Sequence, residues 1–151
     1  MSQSINLYNQ LANHKLFNKS VNFGLKRIKL ALSLLGHPEK KLKNVISVIG
    51  ESGKFTTLFS LKSFIEANNE KVTAHISPSI QDIKERFYMS KKYLTHNEIK
   101  KTIKKIEKLN IPLTVFECLT LVYIINASKI KADYNIQETG ALWRLDSNNV
   151  N

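Results

Sequence analysis

Val45-Ile46-Ser47-Val48-Ile49-Gly50-Glu51-Ser52-Gly53-Lys54-Phe55-Thr56-Thr57 is the stretch on which the fold turns. Its first five residues are a β-branched run broken only by Ser47, the composition of a buried strand. Gly50 ends that run, and over residues 56–67 the apolar period becomes helical, with Leu58, Leu61 and Ile65 on one face. Residues 72–76 read as a second strand, closed by Ser77-Pro78. Strand, glycine loop, helix and strand in about thirty residues make a βαβ unit, which requires a parallel sheet.

The same stretch carries the best local chemistry. Gly50-Glu51-Ser52-Gly53-Lys54-Phe55-Thr56-Thr57 lies between a strand and a helix, the setting of a phosphate loop. Glycines let a backbone fold around phosphate oxygens, and the N–H groups at a helix N-terminus face the anion. Lys54 would sit on the outer phosphates, and the Thr56 hydroxyl would help hold Mg²⁺. Phe55 stands where the common loop has Ser or Thr, and no glycine occupies position 48. A glycine-rich βα turn with an exposed lysine fits this stretch equally well.

Outward from the loop, residues 25–35 read as a helix with Leu25, Ile28, Leu32 and Leu35 on one stripe, stopped by Gly36 and Pro38. Residues 1–20 are polar with scattered apolar positions (Ile5, Leu7, Leu11, Leu16, Phe17), and form a loose amphipathic helix or stay mobile. Residues 78–95 show no clean period and read mostly as loop. Thr95, with Glu98 three residues on, opens a helix with a capping box. Ile99, Ile103 and Ile106 face one way along it; Lys100, Lys101, Lys104, Lys105 and Lys108 face the other, as a solvated side. Pro112 resets the chain; residues 114–127 form a buried helix and residues 132–138 a third strand.

The chain has 151 residues, of which 42% are hydrophobic and 23% charged, which is globular rather than disordered composition. Lys plus Arg outnumber Asp plus Glu by 23 to 12, giving a net charge of +11. That balance raises a nucleic-acid partner, but only Arg27, Arg86 and Arg144 are arginines, the residues that read phosphate and guanine bidentately. The charge therefore reads as solvated surface, and neither a nucleic acid nor a membrane is expected as partner. A single cysteine, Cys118, excludes an internal disulfide and a multi-cysteine metal site, and suits a reducing cytoplasmic setting. No apolar run reaches the roughly 18 residues of a membrane helix, and no signal peptide is visible at the N-terminus.

Two residues are singled out by position. Ser77 and Glu138 each end an expected parallel strand, and ligands of open α/β sheets bind outside those ends. A hydroxyl and a carboxylate there are hard oxygen donors suited to Mg²⁺, or a turn cap and an exposed acid. Glu117 lies in an apolar helix beside Phe116 and needs a partner, either as a satisfied structural residue or as the wall of a site. Asp146 and Arg144 read as a local loop pair, Cys118 as a core residue, and the four histidines show no metal-ligand spacing.

The order of these signals resembles the N-terminal part of the folylpolyglutamate synthase/dihydrofolate synthase family, Mur-ligase-like ATP-dependent amide ligases. Leu25-Lys26-Arg27-Ile28 and Leu34-Leu35-Gly36-His37-Pro38 are similar to its opening helix. Gly50 to Thr57 is similar to its Gly-Thr-Asn-Gly-Lys-Gly-Ser-Thr loop, and Ser77-Pro78 with Glu85-Arg86-Phe87 to its Ser-Pro-His and Glu-Arg segment. Thr114-Val115-Phe116-Glu117 is similar to Thr-Tyr-Phe-Glu, and Gln137-Glu138-Thr139-Gly140 to Leu-Glu-Val-Gly. Arg144-Leu145-Asp146-Ser147-Asn148-Asn149-Val150 is similar to Arg-Leu-Asp-Ala-Thr-Asn-Val, preceded by Leu142-Trp143 in place of Gly-Gly. Glu51 stands for Thr, Phe55 for Gly and Ser79 for His.

The resemblance implies a reaction in which ATP phosphorylates a pteroate or folate carboxylate and the amine of L-glutamate attacks the acyl phosphate. It implies ATP and Mg²⁺ as cofactors, dihydropteroate or folate and L-glutamate as substrates, and a cytoplasmic monomer. Carried over by position, Gly50, Glu51, Ser52, Gly53, Lys54 and Thr56 bind ATP, with Lys54 catalytic; Ser77 and Glu138 hold the metal. Asn22, Phe23, Gly24, Thr114, Val115, Phe116, Glu117, Leu145, Asp146 and Ser147 line the pteroate site. The expected fold is α/β, an incomplete P-loop-type Mur-ligase-like ATPase domain with a mainly parallel sheet flanked by helices. Residues 1–21 are expected as a polar segment and 22–151 as the truncated N-terminal portion of that domain, inactive alone. The alternatives are a degenerate nucleotide- or anion-binding remnant without ligase activity and, ranked last, a basic nucleic-acid-binding domain.

Overall fold

Four strands form one sheet in the order β1-β4-β2-β3: β1 (Val45–Val48), β2 (Val72–His75), β3 (Phe87–Met89) and β4 (Tyr134–Glu138). This computed structural model describes residues 3–17, 24–140, 146–148 and 150. The parallel sheet expected from the βαβ pattern is present: β4 runs parallel to both β1 and β2, with Val48 opposite Glu138 and His75 opposite Gln137. The last strand in sequence thus slots between the first two. All three carboxyl ends then open on one edge.

Residues 78–95 depart from the loop expected of them. They hold a 3-10 turn at Ile83–Arg86 and the edge strand β3, which pairs antiparallel with β2. Three residues are too few to show an alternation, and Phe87, Tyr88 and Met89 are all buried, so neither period appears in the sequence. Glu85 shapes the approach. Its carboxylate accepts the N–H groups of Ile80 (2.7 Å), Gln81 (3.2 Å) and Asp82 (3.1 Å), while Asp82 caps the turn in return.

Among the described residues five helices flank the sheet or pack on its helix layer: α1 (Gln3–Ala12), α2 (Lys26–Leu34), α3 (Lys54–Ala67), α4 (His96–Glu107) and α5 (Val115–Ala127). On one face α3 packs Leu58 and Ile65 against Val48, Val72, Ala74 and Ile136. On the other face α5 is buried along almost its whole length, under α2 and α4. Each fully buried aliphatic side chain contributes about 1.5–3 kcal/mol, so these faces dominate the stability. Leu7, Leu11 and Phe17 join the α5 core, which makes the N-terminal stretch helical over 3–12 rather than mobile. The domain boundary expected at residues 21/22 lies outside the described residues.

The amphipathic reading of α4 holds. Ile99, Thr102, Ile103 and Ile106 are buried, the five lysines of its other side are exposed, and Thr95 and Glu98 form the capping box. The Thr95 N–H and hydroxyl both donate to the Glu98 carboxylate and hold it below the usual carboxylate range. Among the described residues no helix is long and apolar enough to cross a membrane.

Candidate functional site

The loop after β1 turns into α3 through Gly53, whose φ of +76° is a left-handed conformation that a side chain disfavours. The helix begins at Lys54, two residues earlier than its apolar period suggests. Gly53 provides no side-chain cap, and the first helical hydrogen bond runs from Thr57 N to Gly53 O, 2.9 Å. The amides of Lys54, Phe55 and Thr56 therefore lack partners within the helix and present a positive end. Lys54 reaches back over the loop, its Nζ donating to the carbonyls of Gly50 (2.8 Å) and Glu51 (3.3 Å). Phe55 does not close the loop. Its ring lies along the helix against Phe59, centroids 4.4 Å apart. Glu51, Ser52 and Thr56 are exposed.

Glu138 faces this loop from β4. Its Oε1 is 4.0 Å from Lys54 Nζ, and its Oε2 accepts the Ser77 N–H at 2.8 Å. The strand ends of β2 and β4 are thereby joined at Ser77 and Glu138, the pair that the sequence marks. Both supply hard oxygen donors, which fits a cation such as Mg²⁺ that keeps much of its shell from water and phosphate. Among the described residues no three His, Cys, Asp or Glu side chains cluster as a metal site.

Strand alternation sends the neighbours of Glu138 to the other face. There Tyr123 of α5 donates to Thr73 Oγ1 (2.9 Å), which donates to Asn135 Oδ1 (2.7 Å). Residues 146–148 return to this face. Asp146 accepts the N–H of Gly140 (2.8 Å) and of Asn148 (2.9 Å). It braces its own loop against the strand end; the expected pairing with Arg144 lies outside the described residues. Ser147 is buried, its hydroxyl 3.1 Å from that of Thr120 on α5.

Glu117 has its partner. The Arg27 guanidinium of α2 approaches both carboxylate oxygens, at 3.3 and 3.2 Å, and Thr114 and Glu117 close a capping box at the start of α5. Thr-x-x-Glu is the signal already visible at Thr95, so this cap was findable in the sequence; Arg27, ninety residues away, was not. Thr114, Val115 and Phe116 are half-buried at the helix start, and the Phe116 ring lies 6.3 Å from His75. Gly24 is half-buried with open space beside it. Asn22, Phe23 and Leu145 are outside the described residues.

His75, which carried no role in the sequence, is fully enclosed between Tyr123 (5.2 Å) and Phe87 (5.7 Å) and bonds Asn148 at 3.0 Å. Burial pushes its pKa down to about 3, helped by the charge of Arg86 and opposed by the Asn148 bond. Cys118 is buried in the core, and burial raises its thiol pKa.

The arrangement puts a phosphate-type loop on the α3 face and a polar loop on the α5 face of one sheet edge, with Glu138 between them. Known proteins share this fold. The dihydrofolate synthase/folylpolyglutamate synthase of Bacillus subtilis (strain 168) is 30% identical over 136 residues, covering 84% of this chain and 31% of that protein. E. coli FolC, solved in complex with DHPP and ADP, superposes with a TM-score of 0.86 at 30% identity over 97% of this chain and 35% of that one.

The chain matches the N-terminal third of the dihydrofolate synthase/folylpolyglutamate synthase family.

A bifunctional family enzyme with Mn, AMPPNP and L-glutamate bound gives a TM-score of 0.84 at 28% identity, over 97% of this chain and 35% of that one. No family model matches the chain. It spans about a third of the length of the relatives that it matches, and its mostly parallel sheet with flanking helices is the family's fold in that part.

Proposed function

We propose that this chain supplies the nucleotide loop and one wall of the pteroate site of a ligase that adds glutamate to dihydropteroate or folate. The observation that carries the reading is the convergence of Lys54, Glu138 and Ser77 at one strand edge, below an uncapped helix N-terminus. ATP binds across Gly50, Glu51, Ser52, Gly53, Lys54 and Thr56. Its phosphates take the free amides of α3 and compete with the Gly50 and Glu51 carbonyls for Lys54. Ser77 and Glu138 would hold Mg²⁺, which when bound would supply positive charge against the phosphates. Lys54 then acts as the catalytic cation on the transferred phosphoryl group, and the reaction proceeds through an acyl phosphate of the pteroate or folate.

Residues 22–24, 114–117 and 145–147 form the pteroate wall. Phe116 offers a ring to an aromatic substrate, and Asp146 and Ser147 hold the loop beside it. Glutamate transfer belongs to the whole enzyme, as does the domain of which residues 22–151 are a part. Support comes from relatives whose complexes hold ADP, DHPP, AMPPNP, Mn and L-glutamate.

Calorimetric titration with Mg²⁺-ATP tests the loop. The wild-type chain binds weakly, and Lys54→Ala lowers the affinity by about tenfold, the loss of one charge-assisted contact. Equal affinity in both proteins would falsify the phosphate-loop assignment.

A further inference from the structure

The Asn148 side chain makes hydrogen bonds to three partners at the sheet edge. Its Nδ2 donates to the backbone carbonyl of Glu138 at 2.8 Å, which fixes the orientation of the amide. Its Oδ1 must then accept, and it accepts twice, from His75 Nδ1 at 3.0 Å and from the Thr120 hydroxyl at 3.2 Å. The imidazole proton is therefore on Nδ1. The Thr120 proton is spent on Asn148, so Ser147 donates its own to Thr120 Oγ1, 3.1 Å away. The backbone N–H of Asn148 goes to Asp146, which also takes the N–H of Gly140.

The His75 ring itself sits in a slot made for an apolar aromatic. Tyr123 and Phe87 are stacked on it nearly parallel, at interplanar angles of 12° and 8°. Its Nε2 is buried without a hydrogen-bond partner among the described residues. A phenylalanine would fill this slot with no buried nitrogen to satisfy, so packing alone does not account for a histidine. What the imidazole adds is one N–H, directed at Asn148.

We propose that His75 is a positioning residue. Through Asn148 it sets the 146–148 loop against Glu138, so that the substrate wall on the α5 face and the metal-side carboxylate on the α3 face keep a fixed relation across β4. The functional consequence rests on the pteroate-site reading above; the latch itself rests on the hydrogen bonds.

The experiment uses the 151-residue chain as wild type, His75→Phe and Asn148→Ala. His75→Phe keeps the ring stack and removes the Nδ1 donor together with the unpartnered Nε2. Nitrogen-15 NMR of wild type shows the Nδ1–H tautomer, with the Asn148 side-chain amide slow to exchange. In His75→Phe that amide exchanges faster and shifts. Dihydropteroate affinity falls about tenfold in His75→Phe, the loss expected for one buried hydrogen bond, while Mg²⁺-ATP affinity stays within about twofold. Asn148→Ala reproduces both effects, and the double variant adds little to either single one. An Nε2–H tautomer, or an Asn148 amide unchanged by His75→Phe, overturns the latch. So does undiminished dihydropteroate binding by His75→Phe. Should the wild type itself bind no dihydropteroate, the functional reading fails and the NMR result alone decides the latch.

Discussion

Glu117 gives the sharpest stability test, because one carboxylate does two separable jobs. It closes the capping box with Thr114 at the start of α5, and it receives Arg27 of α2 through both oxygens, at 3.3 and 3.2 Å. Glutamine at the third helical position still serves a capping box, so Glu117→Gln removes the charge and keeps the cap. Alanine removes both. Exposed ion pairs are worth about 0.2–1 kcal/mol, and breaking a buried one costs about 3–5 kcal/mol. The side chains here are 7% exposed for Glu117 and 22% for Arg27, so the pair falls between those limits. The expected cost of Glu117→Gln is about 1.5–2 kcal/mol, and Glu117→Ala adds about 1 kcal/mol for the lost cap. Urea unfolding without ligand measures both. Arg27→Met completes a double-mutant cycle with Glu117→Gln, with an expected coupling of about 1.5 kcal/mol. Additive single effects, or a Glu117→Ala variant within about 0.5 kcal/mol of wild type, refute the reasoning, since that range is what an unconnected surface site gives.

Acid should expose His75. Its folded pKa of about 3 lies below the unfolded value of 6.5, so between them the unfolded chain binds a proton that the folded one does not. Stability is complete above 6.5 and falls on acidification by about 1.4 kcal/mol per pH unit; His75→Phe flattens the urea midpoint against pH by that amount, and an unaltered slope contradicts it. At Gly140 an added Cβ would lie 2.7 Å from Asp146 Oδ2. Gly140→Ala is therefore expected to cost about 1–3 kcal/mol through the displaced carboxylate bonds, read as a lower melting temperature. Cys118 is fully buried with a raised thiol pKa, so a thiol reagent labels it in urea and leaves the native chain unmodified; rapid native labelling would place it at the surface.

Much of the fold was readable because its periods are clean. The β-branched run before Gly50, the helical stripe of Leu58, Leu61 and Ile65 and the strand before Ser77-Pro78 announce β1, α3 and β2. Ser77 and Glu138 were readable as strand ends, and a parallel register brings strand ends together whatever the detail. β3 was not readable, since three wholly buried residues carry no alternation. The Arg27–Glu117 pair and the His75–Asn148 bond join residues 90 and 73 positions apart, and no local pattern encodes a contact at that range.

By itself the sequence determined the elements other than β3, the glycine loop at Gly50–Lys54 and the family likeness, because each is written in neighbouring residues through helix or strand period, backbone freedom and motif order. Tertiary structure alone decided that β4 lies between β1 and β2, that Phe55 packs along its helix rather than over the loop, and that Glu117 is paired with Arg27. It also decided that a buried histidine bonds the loop behind the candidate site. These depend on which surfaces meet once apolar faces are buried, and burial is a property of the assembled layers, not of any segment.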